Sequence, residues 1–266
     1  AYFATNDDDD ENAILIVNFV IDNASTPKEK IEGYQQLMKI KLKTASKKEY
    51  PKIKKSYEDL FNEFGSGKET HQLQLDYNYF LGFQNNEKDL AVSNLKSFSK
   101  QPLSQYQEAR IKMLLADILV FDEKFNQALI YYSQIQHEVK GNLLAQEARF
   151  KVAKTSYFNF DFAWAQLQLD VLKKSATQLI ANDAMQLSLL IKDNSIEDST
   201  QTALKQFARA DLLTFQKKET EAISVLKNLL ENHKGEKIED EALLKLGELY
   251  ETKGEYEKAA ESYLAL

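Results

Sequence analysis

The sequence predicts an all-α solenoid, a stack of helical hairpins, and three observations lead there. Five alanines, Ala91, Ala128, Ala165, Ala222 and Ala259, stand 37, 37, 57 and 37 residues apart. One period recurs three times, and the odd gap is that period plus twenty. A fixed period of about 20–50 residues marks repeats that are each too small to bury a core alone. The chain of 266 residues has only 3 prolines and 8 glycines, which suits long helices joined by short turns and argues against sandwiches and barrels. Finally, 43% hydrophobic and 28% charged residues are enough for a sizeable core under a well-solvated surface.

Composition narrows the function classes. The net charge of −7 disfavours nonspecific nucleic-acid binding. The chain has no cysteine, which excludes disulfides and thiolate metal sites and suits cytosol and periplasm equally. The most apolar run, Ala13 to Ile21, is interrupted by Asn18 and is far shorter than the roughly 20 residues that span a bilayer. It follows Asp7 to Asp10 and Glu11, whereas a signal peptide needs a basic flank.

In chain order, residues 1–12 read as an acidic linker or a discontinuity. Residues 13–70 form a degenerate N-terminal helical repeat region that starts with a buried element at 13–21. Its residues 28–64 make two helices split near Tyr50-Pro51, with no alanine at the expected position 54. Residues 71–175 hold three repeats of two helices each. Residues 176–200 are an inserted amphipathic helix, with Ile180, Ala184, Leu187 and Ile191 on one face and Asn182 or Asp183 able to cap it. Residues 201–266 hold two further repeats, the last incomplete.

The residues around each alanine carry a recurring motif. In the last unit Leu243, Leu246, Gly247, Tyr250, Ala259 and Tyr263 combine a small residue at the helix crossing, an aromatic one turn on, and an alanine opening the second helix. Two helices approach closely only where the crossing point carries almost no side chain. Leu115, Ala116, Leu119, Ala128 and Tyr132 repeat the pattern. Val152, Ala153, Ser156, Ala165 and Leu169 do so more loosely, and the Ala222 unit offers Ala210, Leu213 and Leu226. The Ala91 unit has Phe80, Leu81, Leu95 and Phe98, but Tyr79 where a small residue is usual.

This spacing resembles a tetratricopeptide repeat, with a period of 37 in place of 34. The segments 147–173, 178–194 and 208–216 resemble a family of exported tetratricopeptide-repeat proteins from Bacteroidota with no assigned activity. The resemblance covers roughly residues 70–266. It implies a tetratricopeptide-like right-handed superhelical solenoid with one inserted helix, part of a longer chain. It also implies a periplasmic or outer-membrane-associated setting, and adds no catalytic residue.

Several features weigh as structural. His71, His137 and His233 lack any metal-binding spacing and read as solvated helix ends. Gly65-Ser-Gly-Lys superficially resembles a phosphate-binding loop, yet Asn62 and Glu69 stand where a glycine and a Ser or Thr are needed; it reads as a helix C-cap and turn. The Asp7 to Asp10 run lacks the alternating ligands and turn glycine of a calcium loop. Residues 28–55 carry ten lysines against three glutamates, and residues 236–262 nine acids against four lysines. The basic stretch reads as a solvated helix face, although its Tyr34 and Tyr50 would also suit RNA or an anionic membrane. Trp164, beside Ala165, is expected in the core.

The surface singled out for function is the inner wall lined by the first helix of each repeat. Its candidate residues are Asp76, Phe80 and Phe83; Arg110, Asp117 and Phe121; Phe150, Lys154 and Phe158; and Phe207, Asp211 and Phe215. Aromatics alternating with carboxylates suit a concave groove that grips an extended or helical peptide through apolar anchors. The carboxylate clamp known in such repeats needs Lys, Asn and Arg there, so capture of a C-terminal carboxylate is not expected. The alternative is that these aromatics pack between repeats. The expected function is therefore a non-catalytic scaffold for a protein partner, with no cofactor, metal, nucleic acid or membrane span, within a cell-envelope assembly. The competing readings are a spacer that makes contact through its ends, and an accessory module of a larger complex.

Overall fold

Ala91, Ala128, Ala165 and Ala222 are each fully buried and Ala259 is 4% exposed, and each is the fourth residue of its helix. A computed structural model describes residues 9–175, 177–195 and 200–266. The described residues are all-helical, in two compact units, Ala1–Ile118 and Leu119–Leu266.

In the first unit, α1 (Asp10–Asp22) packs on α2 (Pro27–Thr44), and α3 (Tyr50–Phe64) follows a short 3-10 turn. Asp9 starts α1 by accepting from the Asn12 N–H at 3.3 Å. Asp9 to Asn12, read as linker, thus open a helix, because aspartate satisfies the orphan N–H groups of a first turn; Asp7 and Asp8 lie outside the described residues. Thr26 and Glu29 cap α2 reciprocally, with Pro27 in its first turn. Ala13, Val17 and Ile21 bury against Leu37 and Ile40. The opposite face of α1, with Leu15 and Phe19, is exposed, so this element is amphipathic and only half buried. The fourth residue of α3 is Ile53, buried at the place the later units give to alanine. Gly65 ends α3 with φ 78°, its N–H donating to Phe61 O, as a C-cap and turn should.

The repeats proper pair α4 (His71–Phe83) with α5 (Lys88–Phe98), and α8 (Leu143–Phe158) with α9 (Phe162–Ser175). They continue with α11 (Thr202–Phe215) and α12 (Glu219–Asn232), then α13 (Ile238–Thr252) and α14 (Tyr256–Leu264). Around Ala128 the two helices are α6 (Gln105–Phe121) and α7 (Phe125–Glu138). In the second unit each second helix packs on the next element, α7 on α8, α9 on α10 (Gln178–Asp193) and α12 on α13. First helices also meet, α8 on α11 and α11 on α13.

One turn closes these hairpins. Five residues before each alanine stands a left-handed residue: Asn86 (φ 56°), Glu123 (57°), Phe160 (65°), Lys217 (58°) and Gly254 (74°). The next N–H reaches back to a carbonyl of the first helix: Lys124 to Leu119 at 2.8 Å, Asp161 to Ser156 at 2.9 Å, Lys218 to Leu213 at 2.9 Å and Glu255 to Tyr250 at 2.8 Å. This 6→1 bond with a left-handed residue before it satisfies helix-end carbonyls and reverses the chain within three residues. Only the last unit uses glycine there. At the last crossing, a Cβ on Gly247 would lie 2.3 Å from the Tyr263 ring, so that position admits no side chain.

The inserted helix α10 buries Ala184, Leu187 and Ile191, the predicted face, on α9 and α8. It begins at Gln178 after Thr177, one turn before Asn182 and Asp183, which lie inside the helix and cap nothing. Trp164 is 45% exposed and not in the core, because its neighbour Ala165 takes the buried side and one residue is a 100° turn of the helix. No helix among the described residues is long and apolar enough to cross a membrane.

Candidate interaction surface

Four of the five first helices end on phenylalanine, α4 on Phe83, α6 on Phe121, α8 on Phe158 and α11 on Phe215, and α13 ends on Thr252. Phe121, Phe158 and Phe215 lie seven residues before their alanines, but Phe83 lies eight before Ala91. The turn after α4 holds one extra residue, since the Glu87 N–H reaches Leu81 O, six residues back and not five. The sequence alignment on Ala91 therefore runs one residue out of step through α4. In the corrected register Asn78, fully buried, takes the place of Ala116, Ala153, Ala210 and Gly247. Tyr79 takes the place of Asp117, Lys154, Asp211 and Glu248.

This shift decides which α4 side chains face outward. Phe80, a candidate groove residue, is 0% exposed and belongs to the core, edge-on to Tyr50 at 5.2 Å and near-parallel to Tyr57 at 6.5 Å. Tyr79 is 46% exposed instead, with its ring 4.8 Å from Phe83, which is half-buried. Asp76 lies on the same side of α4, one turn earlier. Its Oδ1 accepts from Gln72 Nε2 at 2.7 Å, while Oδ2 is buried with no partner. Burial pushes this carboxyl above its ordinary range, against the opposing pull of the Gln72 bond and of Lys39 and Arg110. Arg110 and Asp117 are half-buried on α6.

The second unit brings its candidates together, against one another. The Phe215 ring lies 5.8 Å from Phe121, edge-on, and 6.1 Å from Phe158, near-parallel. Phe158 (4% exposed) and Phe207 (6%) are core residues, as the inter-repeat alternative had it, because α8 packs directly on α11. Phe150 is half-buried. Behind the phenylalanines Asp211 Oδ2 accepts from Lys154 Nζ at 3.2 Å and from the Tyr157 hydroxyl at 3.3 Å, and Lys245 Nζ lies 3.5 Å from Oδ1. Burial alone would raise the Asp211 carboxyl, but Lys154 and Lys245 outweigh it and hold the group below its ordinary range. Burial, with Asp211 adjacent, drives the Tyr157 hydroxyl well above its usual value. Gln216 Nε2 donates to Phe121 O and Glu123 Oε1, both at 3.0 Å, and Arg209 pairs with Glu123 at 2.9 Å. The carboxylates here are each paired, while Gln216 Oε1 is buried without a partner.

Three participants escaped the sequence reading: Tyr79, Tyr157 and Lys245. The signal for Tyr79 was present, since the row of phenylalanines changes spacing from seven to eight only in its own repeat. His71 also departs from expectation. It is buried, with Nε2 3.0 Å from Gln107 O and its ring against Phe98, and burial lowers its pKa below the ordinary value. Among the described residues no group of three His, Asp or Glu side chains is placed to hold a metal ion. A scan against protein-family models and a search of curated proteins find no match for this chain.

Proposed function

We propose that this chain is a non-catalytic scaffold for protein–protein interaction, built as a tetratricopeptide-like right-handed superhelix that takes a partner on the face of its first helices. The observation that carries this reading is the Tyr79–Phe83 pair. The two rings lie 4.8 Å apart, and Tyr79, 46% exposed, stands at a register where the other repeats put charged side chains. Rings already packed on each other lose little freedom on binding, and tyrosine anchors are favoured where one end of a ring stays wet. Arg110, half-buried on α6, supplies a polar rim group for an extended or helical segment. The resemblance to exported repeat proteins of Bacteroidota supports a periplasmic or outer-membrane-associated assembly as the setting.

A second reading, contact through the terminal helices, is favoured by their exposed apolar side chains: Leu15 and Phe19 on α1, Tyr256 and Leu264 on α14. Crosslinking the protein in its native host, followed by mass spectrometry, separates the two. Under the groove reading a stoichiometric partner crosslinks near α4 and α6, and is lost on Tyr79→Ala with Phe83→Ala. Retention of the partner in that double variant, with crosslinks on α1 or α14, would overturn it in favour of the ends. Phe158→Ala is no probe of binding, since it opens a core cavity.

A further inference from the structure

The inserted helix leaves a gap in the stack. In the second unit α7 packs on α8 and α12 on α13, so each of these first helices is covered by the second helix before it. Helix α9 packs on α10 instead, and α11 packs on α8, α12 and α13 with no comparable contact to α9 or α10. Beside α11 lies a cleft of about 550 Å³, within the range of small-ligand sites, about 300–1,000 Å³. Phe160, Lys205, Arg209, Ser224, Val225 and Asn228 line it. Two of these break the repeat register. Lys205 takes the place of Ala148 and Ala242, both fully buried, and Arg209 that of Val152 and Leu246, 3% and 6% exposed. Here Lys205 is exposed and Arg209 half-buried, as the missing cover allows. Phe160 is a third departure: it holds φ 65° at the turn position where the other repeats have Asn86, Glu123, Lys217 and Gly254, and it is 41% exposed. A bulky side chain is ill suited to that backbone and that exposure, and its place in the cleft wall calls for a compensating role.

We infer that this cleft binds a small aromatic oxyanion, a carboxylate or a phosphate monoester, with its charge at Lys205 and Arg209 and its ring against Phe160 and Val225. The two cations stand one turn apart on α11, about 5–6 Å between Cβ atoms, a spacing that one oxyanion bridges. Both keep donors to spare. Lys205 Nζ donates to Thr200 O at 2.8 Å, which uses one of its N–H groups and leaves its charge uncompensated. Arg209 donates through Nη1 to Glu123 at 2.9 Å, in a pair whose side chains are 38% and 39% exposed, and keeps the rest of its fork. Ser224 and Asn228, exposed on α12, add neutral donors. Among the described residues no carboxylate lines the cleft, in a chain whose net charge is −7. Mere solvation of an uncovered face needs polar residues of any sign; two cations beside an aromatic wall select a negative ligand with an apolar body.

The test is a titration of the full chain with phenylacetate and phenyl phosphate by saturation-transfer NMR, with neutral phenylacetamide as the control. Saturable binding of either anion supports the site, and the tighter of the two identifies the charged group. Phenylacetamide should bind about ten-fold more weakly or not at all, the loss expected for a missing charge-assisted hydrogen bond. Raising salt from about 20 to about 200 mM should weaken the anions and leave the amide unchanged. Lys205→Ala and Arg209→Leu each install a residue type found at that register in the other repeats, and each should cost the anions about ten-fold in affinity. Lys205→Gln serves the same purpose should either variant fold poorly. No saturable anion binding up to about 20 mM would overturn the inference and leave a solvent-filled gap beside the insertion. So would phenylacetamide that binds as well as the anions, or anion binding unchanged in a folded variant. The cleft shares no residue with the face of α4 and α6, so its failure leaves that face untouched.

Discussion

The recurring turn makes a sharp prediction at Lys217. This exposed residue holds φ 58° between α11 and α12, at the position where the last repeat has Gly254. A left-handed conformation costs an L-residue about 1–2 kcal/mol, because Cβ crowds the following carbonyl. Glycine removes that cost but gives the unfolded chain more freedom, worth about 0.5–1 kcal/mol. Lys217→Gly should therefore stabilise by about 0.5–1 kcal/mol. Spread over a chain of 266 residues, that is a rise in Tm of about 1–2 °C. Lys217→Ala keeps the Cβ and should leave Tm within about 0.5 °C of the parent, since it changes only a solvated side chain. Circular dichroism melts of the three proteins, backed by urea titrations, supply the comparison. If glycine gives no more stability than alanine, the left-handed turn is not what closes the repeat, and the argument fails.

Other substitutions test the rest of the framework. Gly247→Ala should destabilise by about 1–3 kcal/mol, since its Cβ would sit 2.3 Å from the Tyr263 ring, and Tyr263→Leu should recover part of the loss in a urea titration. Asp211→Asn should cost about 2–3 kcal/mol, less than a fully buried pair, because the Lys154 and Lys245 side chains keep 35% and 25% of their surface exposed. The Asp211 carboxyl is held below its unfolded value, so its contribution is complete above about pH 4 and lost as pH falls through the folded value. In stability curves against pH, the asparagine variant should lack that acid-side loss. Asp76 has the opposite sign. Its folded value is raised, so the ionised form burdens the fold at neutral pH, and Asp76→Asn should gain about 1 kcal/mol at pH 7. That gain should shrink towards pH 4 as the native carboxyl takes up its proton.

The stack of helices was legible because a packing alanine is a local demand: a small side chain lets the second helix approach closely, and the five alanines each stand fourth in their helix, with Ile53 taking that place in α3. The inserted α10 was legible for a similar reason, since Ala184, Leu187 and Ile191 repeat at helical spacing. The orientation of side chains on α4 was not, because one residue added to a turn rotates every upstream residue by about 100° against the alignment. Phe80 and Tyr79 exchanged roles on that account alone. Trp164 misled in another way. Nearness in sequence to Ala165 says nothing of burial on a helix, where neighbours in space stand three or four residues apart. The ion pair of Asp211 with Lys154 and Lys245 was out of reach, for it joins residues 57 and 34 positions apart across three helices.

The departures from the repeat pattern are not spread evenly, and their concentration bears on function. The second unit follows its own rules: small residues at the crossings, charges at the next position, and phenylalanines that close on each other. Helix α4 breaks three of them at once. It puts Asn78 where the crossing wants alanine, Tyr79 where the others carry a charge, and an extra residue in the turn that follows. Each works against stability, through an unpaired amide atom, an exposed ring and a longer loop. A repeat stack is stabilised by similar neighbours, so a unit that differs weakens itself and the interfaces on both sides. Two departures within the thirteen residues of this helix and a third in the turn after it point to selection for what the helix presents at Tyr79.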